Sequence, residues 1–84
     1  MLLEISNKAK KDLIKLKKIN PKLGMKVWEL ILDISKNPFE GIGKPEGLKN
    51  DLSGYWSRRI TQEHRLIYTM EEGVIVIISC FGHY

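Results

Sequence analysis

Gly54–Tyr68, GYWSRRITQEHRLIY, is the stretch that decides the fold. It holds every arginine of the chain: Arg58, Arg59 and Arg65. Two runs rich in aromatic and β-branched residues flank a polar break at Thr61–Glu63, the pattern of a β-hairpin. Side chains alternate across a strand, so Tyr55, Ser57 and Arg59 share one face, and Trp56, Arg58 and Ile60 the other. On the second strand Arg65 and Ile67 point one way, and His64, Leu66 and Tyr68 the other. Guanidinium presents a planar fork of donors that matches phosphate or carboxylate, so a hairpin carrying these groups suits an anionic ligand. The competing reading is a set of surface ion pairs to Glu63, Glu71 or Asp51, which contribute little when isolated.

C-terminal to the hairpin, Glu71-Glu72-Gly73 makes a second turn. Val74–Phe81, VIVIISCF, is the most apolar run and reads as a central strand buried on both faces. Gly82, His83 and Tyr84 follow it. N-terminal to the hairpin, Pro38–Ser53 has three glycines, two prolines and no sustained periodicity. Loops of such length are uncommon in small domains and are usually functional or disordered. Phe39, Leu48 and Leu52 would anchor it, so that Glu40, Lys44, Glu46 and Lys49 are held on an ordered loop.

Two helices are expected before that loop. Ser6 is a candidate N-cap for a helix over Asn7–Ile19, with Ala9, Leu13 and Leu16 as its buried stripe. Ile14 faces away from that stripe. Asn20-Pro21 closes this helix and opens a second, over Pro21–Lys36, because proline suits a first helical turn. Leu23, Val27, Leu30, Ile31 and Ile34 share its inner face, with Trp28 and Leu32 placed to touch both sheet and first helix. Asn37-Pro38 ends it. The short connection calls for an antiparallel helix hairpin. Met1–Ile5 is plausible as a strand. The expected fold is therefore α+β: an N-terminal strand, a two-helix hairpin and a three-stranded antiparallel meander, with helices on one sheet face and a ligand surface on the other.

The 84 residues fit one domain, residues 1–84, with a modest core. The single cysteine, Cys80, excludes an internal disulfide, and no apolar run approaches the ~20 residues of a membrane span. A cytoplasmic protein is expected. The net charge is +4, and Lys8, Lys10, Lys11, Lys15, Lys17, Lys18, Lys22 and Lys26 crowd one segment with only Asp12 among the acids. That fits a polyanion such as nucleic acid, or equally a solvated helix face.

Glu46, Arg65, His83 and Tyr84 together have the chemistry for cutting RNA without a metal. A base must take the 2′-OH proton, an acid must protonate the 5′-oxygen, and cations must hold charge that develops on the phosphate. A carboxylate and an imidazole can divide the first two tasks, and arginine suits the third. Cys80 and His83 have a metal-like spacing, but an extended strand would point them apart and a zinc site needs more ligands. No metal or other cofactor is expected. His64 shares its face with Leu66 and Tyr68 and reads as structural. No phosphate-cradling glycine motif followed by Lys-Ser/Thr is present.

The run Asn37–Tyr68, with its GKPE, LSG, WSRRI and EHRL-Y segments, and the pair His83-Tyr84 closely resemble the YoeB (Txe) family of bacterial toxins. These belong to the RelE/ParE superfamily of toxin–antitoxin systems. The resemblance implies a RelE-like, microbial-ribonuclease-like fold and a ribosome-dependent endoribonuclease that cleaves mRNA in the A site. It implies Glu46 as general base, His83 as general acid, Arg65 as stabiliser of the transition-state phosphate and Tyr84 as the terminal aromatic that positions substrate. Lys49 and Arg59 match basic residues near the phosphates. The implied partners are the ribosome with bound mRNA and a YefM-like antitoxin whose C-terminal segment covers the active site. Family members can also dimerise. Lys10, Lys11, Lys17 and Lys18 become candidates for contacts with ribosomal RNA. Two positions depart from the family pattern. Gly47 stands where relatives often have proline, and Phe81-Gly82 stands where they often carry a basic residue. The alternatives are a ParE-like toxin that binds DNA gyrase without cutting RNA, and a catalytically silent RNA-binding module.

Overall fold

The computed structural model describes residues 2–82. Its elements run β1 (Leu2–Ile5), α1 (Asn7–Ile19), α2 (Pro21–Lys36), β2 (Glu46–Gly47), a 3-10 turn (Asn50–Leu52), β3 (Trp56–Arg59), β4 (Arg65–Glu71) and β5 (Val74–Ser79). The five strands form one sheet in the order β1-β5-β4-β3-β2. β1 runs parallel to β5, and the other neighbours are antiparallel.

The helices end where their caps end them. Ser6 Oγ accepts from Ala9 N at 3.0 Å and donates to Ile78 O at 2.7 Å. One hydroxyl thus caps α1, a role usually worth about 1 kcal/mol, and ties it to β5. Asn20 is both C-cap of α1 and N-cap of α2, with Oδ1 accepting from Lys22 N at 3.0 Å. The inner faces of both helices join one side of the sheet in a single core, which includes Leu16, Leu30, Ile34, Leu66 and Ile77.

Four expectations need correction. Pro38–Ser53 is not strandless: Glu46 pairs with Ser57 and Gly47 with Trp56, so the loop supplies an edge strand and the meander becomes part of a five-stranded sheet. The buried Leu48, whose N–H donates to Tyr55 O at 2.9 Å, holds that strand in register. β5 is central, between β1 and β4, but only Ile75 and Ile77 are buried within it. Both helices lie on one side, so its other face keeps partial solvent access. Trp28 and Leu32 are exposed rather than packed between layers. They sit beyond the stripe of Val27, Leu30, Ile31 and Ile34, which already fills the interface.

The fourth correction concerns Arg58, which holds protein rather than an anionic ligand. Its side chain is wholly buried on the helix face. Nη1 meets Asp33 Oδ2 at 2.5 Å and Ile42 O at 3.2 Å, Nη2 donates to Asn37 O at 2.7 Å and Glu40 O at 2.8 Å, and Nε donates to Tyr68 Oη at 3.2 Å. Tyr68 Oη in turn donates to Pro38 O at 2.6 Å. The carbonyls of the 37–42 turn have no ladder to join, and the guanidinium replaces it. Burial raises the Tyr68 phenol above its ordinary value. The Arg58 hydrogen bond, helped by the Ile42 N–H, holds the Asp33 carboxyl below its ordinary 3.8. Gly41 has φ +125, and a Cβ there would overlap Asp33 Oδ2, so the turn can wrap this pair only with glycine.

Candidate active site

The sheet face away from the helices carries the candidate residues. Ladder pairing aligns Glu46, Ser57 and Ile67 in one row, and Arg59 with Arg65 two residues further along. Glu46, Arg59 and Arg65 therefore share this face. With strands ~4.8 Å apart and ~3.4 Å per residue, the Glu46 and Arg65 backbones stand roughly 12 Å apart. Glu46 and Arg65 thus lie two strands and two residues apart on one face. Thr69 Oγ1 donates to Gly54 O at 2.9 Å, which ties the 48–54 segment to β4. Ser57, Ile67 and Thr69, in the middle of this face, are buried.

Arg59 and Arg65 are directly opposite, and like charges at opposed positions destabilise a sheet unless an anion is shared. Among the described residues neither forms a salt bridge, so the competing reading, ion pairs to Glu63, Glu71 or Asp51, does not hold for them. The nearest thing to a partner is structural. Arg65 Nη1 donates to Thr61 O at 3.1 Å and Gln62 O at 3.2 Å, which aims the guanidinium. Arg59 is exposed, and its N–H donates to Gly43 O at 2.6 Å. Glu71 lies at the far end of β4, about 20 Å from Arg65 by strand rise, beyond the ~8–10 Å screening length. Glu4, Glu71 and Glu72 line an opening at that end. The face is thus polarised, with its cationic end at the hairpin.

Glu46 and Lys49 line the same shallow cleft of about 310 Å³, together with Gly47, Leu48 and Asn50. Gly47 faces the Trp56 ring, with 3.5 Å between a notional Cβ and the indole, so the indole abuts the edge strand here. His83 and Tyr84 lie outside the described residues. The chain can be followed to Gly82, which is anchored beside Arg65: Arg65 N donates to Gly82 O at 3.0 Å, and Gly82 N donates to His64 Nδ1 at 2.8 Å. Lys10, Lys11, Lys17 and Lys18 are exposed on α1, in the helical layer rather than on this face. None of the four joins a salt bridge among the described residues. Lys8 does, to Asp12 at 2.7 Å.

Two residues matter more than their sequence context suggests. Asp12 is buried on α1, and its Oδ2 accepts from Cys80 N at 3.1 Å. The readable sign was a carboxylate on the apolar stripe, between Ala9 and Leu16. His64 is structural, as its parity implies, but what it holds is the segment leading to His83. Burial pushes the Cys80 thiol up to about 12, with Asp12 adding to the effect, which keeps it protonated and a poor metal ligand. No described group of three His, Cys, Asp or Glu side chains is placed to hold a metal ion. No described helix is long and apolar enough to cross a membrane.

Residues 5–84 match the family of YoeB-like toxins of bacterial type II toxin–antitoxin systems. The Toxin YoeB of Synechocystis sp. is 57% identical over 63 residues, 75% of this chain and 73% of that protein. Among solved structures, a YoeB/ParE toxin from Agrobacterium tumefaciens superposes with TM-score 0.93 at 38% identity, over 100% of both chains. The Staphylococcus aureus YoeB is 44% identical in a heterotetrameric YoeB-YefM complex, at TM-score 0.89 and 100% and 99% coverage. It is equally similar as a YoeB dimer, at TM-score 0.90 with 100% and 98% coverage. Matched over residues 5–84, this chain belongs to the YoeB-like toxins of bacterial type II toxin–antitoxin systems.

Proposed function

We propose that the chain, acting as one toxin domain in the cytoplasm, is a ribosome-dependent endoribonuclease that cuts mRNA in the A site and stops translation. The observation that carries this reading is the placement of Glu46, Arg59 and Arg65 on one sheet face, with Gly82 anchored beside Arg65. Glu46 takes the proton from the 2′-OH, whose oxygen attacks the adjacent phosphorus. Arg65 holds the charge that develops on the phosphate oxygens, and Arg59 and Lys49 hold neighbouring phosphates. His83 protonates the departing 5′-oxygen, and Tyr84 positions the substrate. The bond formed is 2′-O–P and the bond broken is P–O5′, so the products carry a 2′,3′-cyclic phosphate and a 5′-hydroxyl.

The test is to map mRNA 5′ ends on programmed ribosomes. Cuts at the A-site codon with 5′-hydroxyl ends are expected, and they should fall at least about a hundredfold in Glu46→Gln and in His83→Gln. A chain that binds ribosomes or gyrase and leaves mRNA whole would be a binding toxin instead.

The partners that follow are the ribosome, a YefM-like antitoxin that covers the open face, and a second copy of the chain. Lys10, Lys11, Lys17 and Lys18, displaced from the open face, suit a second stretch of ribosomal RNA rather than the cleaved strand. Replacing all four by glutamine should weaken ribosome binding, flatten its salt dependence and spare antitoxin binding. Unaltered ribosome affinity in that variant removes the role.

A further inference from the structure

We propose that His64 is a positioning residue, which fixes the peptide leading into His83 by accepting the Gly82 amide proton. This rests on the ribonuclease reading above, in which His83 is the general acid. β5 ends at Ser79, so residues 80–82 leave the regular ladder and their N–H groups need other acceptors. Side chains from α1 and from the turn before β4 supply two of the three. Asp12 Oδ2 takes Cys80 N–H at 3.1 Å, and His64 Nδ1 takes Gly82 N–H at 2.8 Å. The carbonyl of Gly82 is held as well, by Arg65 N at 3.0 Å.

The consequence is geometric coupling. Gly82 has φ +78 and no Cβ, so an untethered peptide there would swing freely. Both its polar groups are instead held by the dipeptide His64-Arg65. The same dipeptide presents the phosphate-binding guanidinium on the opposite face. His64 is itself braced: its N–H donates to Thr61 Oγ1 at 3.1 Å, and its ring lies against Phe81 with centroids 4.4 Å apart. An Nδ1 that accepts must carry no proton, so the ring proton of the neutral imidazole sits on Nε2. A displacement of about 1 Å in a catalytic group can cost about a hundredfold in rate, so such a tether has functional weight.

The test uses three variants of the full chain. Asparagine places Oδ1 where Nδ1 stood and keeps the acceptor. Glutamine carries its oxygen one bond further, and leucine has none. All three lose the ring contact with Phe81, so differences among them isolate the hydrogen bond. His64→Leu and His64→Gln should expose the Gly82 amide to hydrogen exchange. Both should cut A-site mRNA about ten- to a hundredfold more slowly at saturating ribosomes, with the half-saturating concentration unchanged. His64→Asn should restore both amide protection and rate. Full protection or full rate in the leucine and glutamine variants overturns the proposal, as does an asparagine variant no better than leucine. If His64→Leu does not fold, glutamine carries the comparison. If the unmodified chain cuts nothing, the ribonuclease reading fails on its own, and Gly82 exchange alone decides whether His64 holds the segment.

Discussion

Arg58 and Arg59 are consecutive residues of one strand with opposite fates. Arg58 turns toward the helices, is fully buried and makes a salt bridge to Asp33 and hydrogen bonds to Ile42, Asn37, Glu40 and Tyr68. Arg59 turns to the open face, is exposed, and faces Arg65 across the ladder without an acidic partner among the described residues. The strand's two-residue period alone separates them. A saturated buried guanidinium organises backbone; an unsaturated exposed one is available to a ligand. Arginine density in a sequence therefore overstates the anion site until each side chain is assigned a face.

The comparison breaks if the two faces fail to separate stability from activity. The largest expected effect is on the buried side. Arg58→Met should lower unfolding free energy by about 3–5 kcal/mol, because it leaves the Ile42, Asn37 and Glu40 carbonyls and the Tyr68 hydroxyl without their common donor. Urea denaturation measures this, and a loss below about 1 kcal/mol, the level of a surface pair, would place Arg58 among the surface arginines.

Next is the open side. Arg65→Ala should slow A-site cutting by about 10²–10³ while the urea midpoint barely moves, since among the described residues its side chain bonds only the carbonyls of its own turn. Equal losses of rate and stability would mean that Arg65 works mainly as a brace.

The smallest effect sharpens the buried half of the contrast through pH. The folded-state value of Asp33 lies below 3.8, with the Arg58 hydrogen bond as its main cause. A depressed carboxyl contributes stability that is complete above the ordinary value and is lost as pH falls through the folded one. Between about pH 5 and pH 2 the unmodified chain should therefore lose stability more steeply than Asp33→Asn. Parallel curves of urea midpoint against pH would show that the pair does not titrate with folding.

Much of this architecture was legible in the residues themselves. Both helices span the expected positions because their caps, Ser6, Asn20 and Asn37, act within a few residues. The faces of the arginine hairpin follow from strand parity, which put Arg58 with Trp56 and Ile60, and Arg65 with Ile67. The short edge strand at Glu46–Gly47 was hidden, since two residues carry no periodicity and only the neighbouring β3 makes them a strand.

What the sequence determined on its own is therefore what short-range chemistry controls: helix limits, turn positions, the parity of each side chain, and the family pattern that joins them. What only the tertiary structure decided are meetings between residues far apart in the chain. Asp33 reaches Arg58 across 25 positions, Asp12 reaches Cys80 across 68, and His64 closes on Gly82 across 18. Caps and alternation act over a few bonds, whereas a buried donor or acceptor takes whichever partner the packed layers bring to it, and that choice exists only once the helices have settled on the sheet.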